Sequence, residues 1–188
     1  MLCAATRPQA ALRASGAARV GIVSSGAHRT APFDVEEPHF ELRPYDPWAA
    51  YRAVPAQDGT GFLYAVGARR WAADGITANG LNHPGFVLTG LQRHLDDATL
   101  RTFGVMEEEG SLTSPPFYKT PAQGAATSVL LAASPLLHGV TGRYFEDEQE
   151  AGVVRGDEGR PGGAAARARG PEAAARLWGY GSATLAGA

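Results

Sequence analysis

Several residue types that would mark other protein classes are scarce in this sequence. Cys3 is the only cysteine among 188 residues, which excludes an intramolecular disulfide and a zinc site built from cysteines. No apolar run approaches the roughly 20 residues that span a bilayer. The net charge of −2 provides no basic surface for nucleic acid. We therefore expect a cytoplasmic protein with no metal, membrane or nucleic-acid partner.

Lysine is the other scarce residue, since Lys119 is the only lysine among 17 lysines and arginines. Apolar side chains, by contrast, make up 44% of the chain, and there are 24 glycines and 13 prolines. That composition suits a packed core with many turns, and the length suits one ordinary domain over residues 1–188.

The order of the predicted elements indicates the fold class. Short β-branched or apolar runs predict buried strands at residues 20–23, 76–79 and 142–145. Amphipathic or capped segments predict helices at residues 12–18, 62–71, 91–103, 120–131 and 171–177. Strands that alternate with helices predict an α/β domain with a parallel sheet. The Gly-, Ala- and Arg-rich residues 151–170 are predicted to form a loose loop.

Candidate functional side chains follow the first predicted strand. Ser24 and Ser25 stand at its carboxyl end, where open α/β sheets bind their ligands, although a turn or cap serine is an equally ordinary interpretation. Tyr51 lies near the start of a helix that Asp46 could cap. A tyrosine phenol has a pKa near 10, so acid–base work needs a nearby cation, and a packing role is the alternative.

A second candidate segment follows the second predicted strand. His83, Pro84 and Gly85 form a turn, and Thr89 follows it. This turn either holds the polar head of a ligand or simply leads into a helix that Thr89 caps. Two acidic runs, residues 107–109 and 146–148, are predicted to lie on solvated faces. The remaining histidines lack metal-binding spacing, and structural or solvated roles are predicted for them: His28, His39, His94 and His138.

Taken together, these segments resemble the C-terminal half of the short-chain dehydrogenase/reductase family, and within it the retinol-dehydrogenase-like and protochlorophyllide-reductase-like branch. The resemblance runs from about residue 12 to 145 and again over residues 171–178. The motifs that carry it, in order, are VGIVSSGAH, DPWAAY, WAADGITAN, HPGFVLT, TPAQGAA and GVTGRYF.

The resemblance implies a doubly wound, Rossmann-type parallel sheet and NAD- or NADP-dependent alcohol oxidation or carbonyl reduction. It implies that Ser25 polarises the substrate oxygen and that Tyr51 transfers the proton. The nicotinamide would meet Pro84, Gly85 and Thr89. The substrate would be a small-molecule alcohol or carbonyl compound, and a homo-oligomer is expected.

The sequence also departs from the family pattern in two places. The family has a lysine four residues after the tyrosine, whereas Pro55 stands there, and a local frameshift after Tyr51 would explain the change. No Gly-x-Gly-x-x-Gly turn precedes Val20, so we expect the C-terminal part of the domain with its first strands absent. The sequence therefore predicts an impaired, truncated enzyme or, alternatively, a noncatalytic interaction protein that pairs with a front-half fragment.

Overall fold

The computed structural model describes residues 9–29, 41–42, 44–45, 58–83, 85–116, 118–155, 162–166 and 170–187. The strands are β1 (Arg19–Val23), β2 (Thr77–Asn82), β3 (Tyr144–Glu146), β4 (Gln149–Glu150), β5 (Val153–Val154) and β6 (Ala164–Ala165). The α-helices are α1 (Gln9–Ala14), α2 (Asp58–Arg70), α3 (Asp97–Thr102), α4 (Pro121–Ala133) and α5 (Pro171–Ala186).

One mixed sheet organises the described part of the chain. Its strand order is β1-β2-β3-β4, with β1, β2 and β3 parallel and β4 antiparallel to β3. The predicted α/β class with parallel strands is therefore confirmed, and the antiparallel fourth strand is an addition. It arises because Asp147 and Glu148 both adopt positive φ angles, 48° and 61°, which close a tight hairpin after β3.

Helices cover both faces of this sheet because neighbouring side chains of a strand point to opposite sides. On one face, Ala78 of β2 packs with Ala68 and Trp71 at the end of α2. On the other face, Leu81 packs against Leu131 of α4. The result is a layer of helix, a layer of sheet and a second layer of helix.

The sequence predicts that this helix starts at residue 62, because Gly59 and Gly61 are poor helix formers. In the structure, α2 begins earlier, at Asp58. From Tyr64 onward the helix packs on the sheet, and most helix stability in proteins comes from such tertiary contacts. The tightest approach is at Gly80 of β2. A Cβ atom there would lie 2.5 Å from Cδ1 of Tyr64, so only glycine lets the Tyr64 ring lie this close to the strand.

Helix α4 begins as predicted. The Thr120 hydroxyl accepts a hydrogen bond from the Gln123 backbone N–H at 3.2 Å, and the Gln123 side chain accepts one from the Thr120 N–H at 2.9 Å. These reciprocal bonds form a capping box. The predicted helix over residues 91–103, in contrast, is split. A 3₁₀ turn covers Gly90–His94, and α3 starts anew where Asp96 accepts a hydrogen bond from the Thr99 N–H at 2.7 Å.

The C-terminal region is more ordered than predicted. Within the predicted loose loop of residues 151–170, strands β5 and β6 pair in parallel, and the side chains of Val154 and Ala165 are fully buried. Residues 156–161 and 167–169 lie outside the described ranges. Helix α5 extends well beyond the predicted 171–177 and packs Leu177 into the core formed with α2. No helix in the described part of the chain is long and apolar enough to cross a membrane.

Candidate active site

The three parallel strands end at one edge of the sheet, and the candidate site lies there. The backbone N–H of Ser24 donates to the Leu81 carbonyl at 2.7 Å, so the pairing of β1 with β2 continues one residue past β1. Ser24 is buried by this pairing, whereas Ser25 is half-buried. Ser25 is therefore the first residue beyond the paired strands, which is where a hydroxyl can meet a ligand.

A short 3₁₀ turn, Gly26–Arg29, sets the direction in which the chain leaves Ser25. The Ser25 carbonyl accepts the backbone N–H of His28 at 3.2 Å, and it also contacts Nδ1 of the His28 ring at 2.6 Å. Gly26 faces Asn82 at the end of β2, since a Cβ atom there would lie 3.7 Å from Asn82 Nδ2. The carboxyl ends of β1 and β2 are thus adjacent.

Behind this edge lies a buried polar cluster that the sequence did not reveal. Glu146 ends β3 and is only 8% exposed. Its Oε2 accepts a hydrogen bond from the Gly163 N–H at 2.5 Å, and its Oε1 lies 3.4 Å from the amide nitrogen of Asn82. The prediction that residues 146–148 lie on a solvated face is therefore wrong for Glu146. The sequence carries no local signal for this burial, because all three residues of β3 are buried and Glu146 is buried by its position at the end of the strand.

The other two acids of that run are exposed and bind α4 or the residues before it. Asp147 forms an ion pair with Lys119, the only lysine of the chain. Glu148 accepts a hydrogen bond from the Thr127 hydroxyl at 3.1 Å. The ion pair therefore holds Lys119 beside the turn between β3 and β4.

Tyr144 lies in this cluster beside Ser24, but its environment suits packing rather than proton transfer. Its ring is buried, with its centre 5.3 Å from the His28 ring and 5.9 Å from the Tyr64 ring. Burial raises the pKa of Tyr144 far above the ordinary value, and the nearby Ser24 side chain only partly offsets this. The Tyr144 phenol therefore stays protonated at neutral pH.

The turn after β2 has the geometry of a strand-to-helix connection. Gly85 is exposed with a φ of 90°. Thr89 is exposed, and its hydroxyl accepts a hydrogen bond from the Leu91 N–H at 3.2 Å, which makes it the cap of the Gly90–His94 turn. The capping role that the sequence allowed for Thr89 is present, while cofactor contact by Gly85 and Thr89 stays a prediction. Pro84 and Tyr51 lie outside the described residues, as does Pro55.

A buried ring nitrogen also lies at the end of β2. His83 directly follows β2, and its Nδ1 atom is buried without a hydrogen bond in the part of the chain that the structure describes. A buried ring nitrogen costs free energy unless it is paired, so a polar ligand group fits here. No cluster of three His, Cys, Asp or Glu side chains suited to a metal ion occurs among the described residues.

Known proteins are similar to this chain in sequence and in fold. No protein-family model matches the chain. The chain is 64% identical over 181 residues to "Probable oxidoreductase" of Streptomyces antibioticus, a match that covers 96% of this chain and 59% of that protein. It is 33% identical over 160 residues to short-chain dehydrogenase/reductase prx1 of Penicillium roqueforti, covering 85% and 44% of the two chains. Retinol dehydrogenase 14 of Homo sapiens is 45% identical over 83 residues, which are 44% of this chain and 23% of that one.

A solved structure agrees on the fold. An uncharacterised protein from Mycobacterium paratuberculosis superposes with a TM-score of 0.52 and 22% identity, over 89% of this chain and 50% of that chain. The two chains therefore share the α/β fold. The chain thus spans about 59% of the Streptomyces relative and half of the superposed structure.

Proposed function

The chain belongs to the short-chain dehydrogenase/reductase family, and we propose that it is part of an oxidoreductase that uses NAD or NADP to interconvert an alcohol and a carbonyl compound. The observation that carries this proposal is the position of Ser25. It is the first residue beyond the pairing of β1 with β2, at the edge where three parallel strands end, and Gly26 beside it faces the end of β2. Ligands of open α/β sheets bind at this kind of edge.

The proposed roles are those that the family resemblance implies. The Ser25 hydroxyl donates a hydrogen bond to the substrate oxygen, and Tyr51 gives or takes the proton. A bound nicotinamide supplies or accepts the hydride. Pro84, Gly85 and Thr89 contact the nicotinamide, and the unpaired Nδ1 of His83 supports a polar group beside them. In the cell, we propose a cytoplasmic homo-oligomer.

The proposed reaction is impaired in this chain because no lysine accompanies Tyr51. Pro55 occupies the position four residues later, and the only lysine, Lys119, is bound to Asp147 beyond β3. Without a nearby cation, the pKa of a phenol stays close to 10, so proton transfer at neutral pH is slow. We therefore propose that turnover by this chain is low.

The experiment that tests this function is a turnover assay with NADH, NADPH and a panel of small aldehydes and ketones. The unchanged chain is compared with Tyr51→Phe, with Pro55→Lys and with the double variant Pro55→Lys/Tyr51→Phe. Turnover that rises with the lysine and disappears with the phenylalanine supports the proposed roles. High turnover by the unchanged chain that Tyr51→Phe does not affect contradicts them.

A second candidate function is favoured by the exposed edge of β1. Within the described residues β1 is an edge strand, and Val23 is 53% exposed. An uncovered strand edge pairs readily with another chain. The chain would then be a noncatalytic partner of a fragment that completes the sheet. Co-purification with the part of the Streptomyces relative that this chain does not match would support that function, and failure to associate would argue against it.

A further inference from the structure

His28 connects two segments that are far apart in the chain. The side chain is completely buried. Nδ1 lies 2.6 Å from the carbonyl oxygen of Ser25, and Nε2 accepts the backbone N–H of Ala165 at 3.1 Å. One ring therefore bridges the turn that carries the candidate serine and strand β6, which lies 137 residues further along.

The two partners of His28 require one and the same tautomer. A backbone N–H can only donate, so Nε2 must be the unprotonated nitrogen that faces Ala165. A carbonyl oxygen can only accept, so Nδ1 must carry the proton that faces Ser25. The chemistry of the backbone groups therefore determines the tautomer, and each bond supports the other.

The segment that His28 holds has further polar ties to the same edge of the sheet. We call residues 162–166 the C-terminal strap. Arg29, next to His28, donates to the Gly162 carbonyl at 3.0 Å, and the Gly163 N–H donates to Glu146 at the end of β3. The backbone of the strap also packs closely against β5. Gly163 has a φ of 101°, and a Cβ atom there would lie 2.6 Å from Cγ1 of Val154.

We propose that His28 is a positioning residue that couples the placement of Ser25 to the docking of the C-terminal strap. The role of Ser25 in this proposal rests on the proposed function, whereas the coupling itself is a property of the fold. When the strap is docked, Ala165 holds the ring in the tautomer that fixes the Ser25 carbonyl. When it is not, the Ala165 N–H no longer selects this tautomer, and a ring protonated on Nε2 does not donate to the Ser25 carbonyl.

The first test needs no turnover and is made on the unchanged protein. The ¹⁵N chemical shifts of the His28 ring distinguish a protonated Nδ1 from a protonated Nε2. We expect the Nδ1-protonated form. A neutral ring protonated on Nε2 overturns the proposal, because that ring cannot accept the Ala165 N–H.

Two variants at position 28 separate the two bonds. An asparagine amide reaches the place of Nδ1, and a glutamine carbonyl reaches the place of Nε2. His28→Asn should leave the backbone amide of residue 28 protected from hydrogen exchange and make the Ala165 amide exchange about tenfold faster. His28→Gln should do the reverse. Equal acceleration of both amides by both variants shows a general loosening and contradicts the assigned bonds.

A variant on the strap tests the coupling from the other end. Gly163→Ala should displace the strap, and Gly152→Ala is its control, because a Cβ atom at Gly152 meets nothing within 4 Å. We expect Gly163→Ala, but not the control, to speed exchange at residue 28 about tenfold and to change the His28 ring shifts. Faster exchange at Ala165 with an unchanged residue 28 and an unchanged tautomer overturns the proposal. None of these outcomes depends on catalysis, so they are distinct from failure of the turnover assay.

Discussion

Two regions of the molecule have buried residues but different stabilising contacts. The first is the sheet with helices α2 and α4, and the second is the C-terminal strap. In the first region, large side chains such as Trp71 and Tyr64 fill the space between α2 and the sheet. In the strap, Ala164 and Ala165 are as deeply buried, yet they bring little apolar area. Hydrogen bonds from the Ala165 N–H to His28 and from the Gly163 N–H to Glu146 hold the strap in place. We therefore expect the stability of the first region to fall when a large side chain is truncated. The stability of the strap should fall when a small side chain is enlarged.

The largest expected effect comes from truncating the core beneath α2. Trp71 is almost fully buried and meets the Trp178 ring edge-on, with ring centres 6.2 Å apart. Trp71→Ala should lower the free energy of unfolding by about 3–5 kcal/mol, because it removes apolar contacts and leaves a cavity. Denaturant titration measures this change. Leu136→Ala, at an exposed leucine, should stay within about 0.5 kcal/mol, and a similar loss in both variants would mean that Trp71 is not part of the core.

A larger side chain in the strap should lower the free energy of unfolding only where the position is buried. Ala165 is 0% exposed, whereas the next residue, Ala166, is exposed. Ala165→Leu should lower the free energy of unfolding by about 1–3 kcal/mol because the extra carbons have no space. Ala166→Leu, the same change one residue away, should cost less than about 0.5 kcal/mol. If thermal melting shows the two variants to be alike, residues 162–166 form the loose loop that the composition predicts.

A smaller effect is expected at the start of α4, on the other face of the sheet. Thr120→Ala removes the hydroxyl that caps the helix and should cost about 1 kcal/mol in unfolding free energy. Thr184 is the matched control, because its hydroxyl only bonds back to the Tyr180 carbonyl within α5. Thr184→Ala should be neutral or slightly stabilising, since alanine is the better helix former. Comparison of both midpoints in urea checks the sign of each change.

The smallest effect concerns pH and the split helix of residues 90–102. The Thr99 backbone N–H beside Asp96 lowers the pKa of that carboxyl below its ordinary value. A carboxyl with a lowered pKa in the folded state adds stability above its unfolded pKa, and this is lost as the pH falls through the folded pKa. Asp96→Asn should therefore flatten the pH dependence of stability in the acidic range below pH ~4. Identical acid titrations of both proteins would show that the cap contributes nothing.

The parts of the fold that follow from local pattern could be predicted. The β-branched run at β1 and the Thr120-Pro121 start of α4 have strong signals, because burial between helices and helix capping both select residue types directly. Ser25 could be placed because the end of a buried strand is visible in the sequence. The cap at Thr89, one of the two roles that the sequence allows, is present in the structure, while contact of Thr89 with a cofactor remains a prediction.

Other parts carry no local signal. Strand β2 continues through Gly80 and Asn82, which are poor strand formers, because β1 and β3 bond to its two sides. The sequence predicts that Glu146 is one of three solvated acids. It is buried because it lies at the end of β3. His28 has no neighbour in sequence that points to Ala165. These features depend on contacts between segments that lie far apart along the chain.

The sequence by itself determined the family resemblance, the α/β order of elements and the position of Ser25 after the first strand. Each of these depends on short motifs or on periodicity within one segment. Only the tertiary structure decided that residues 162–166 are a buried strap and that one histidine ties the strap to the candidate serine. The physical reason is that small residues have little preference for burial on their own. They become buried where hydrogen-bond partners and a close fit are brought to them by the rest of the fold.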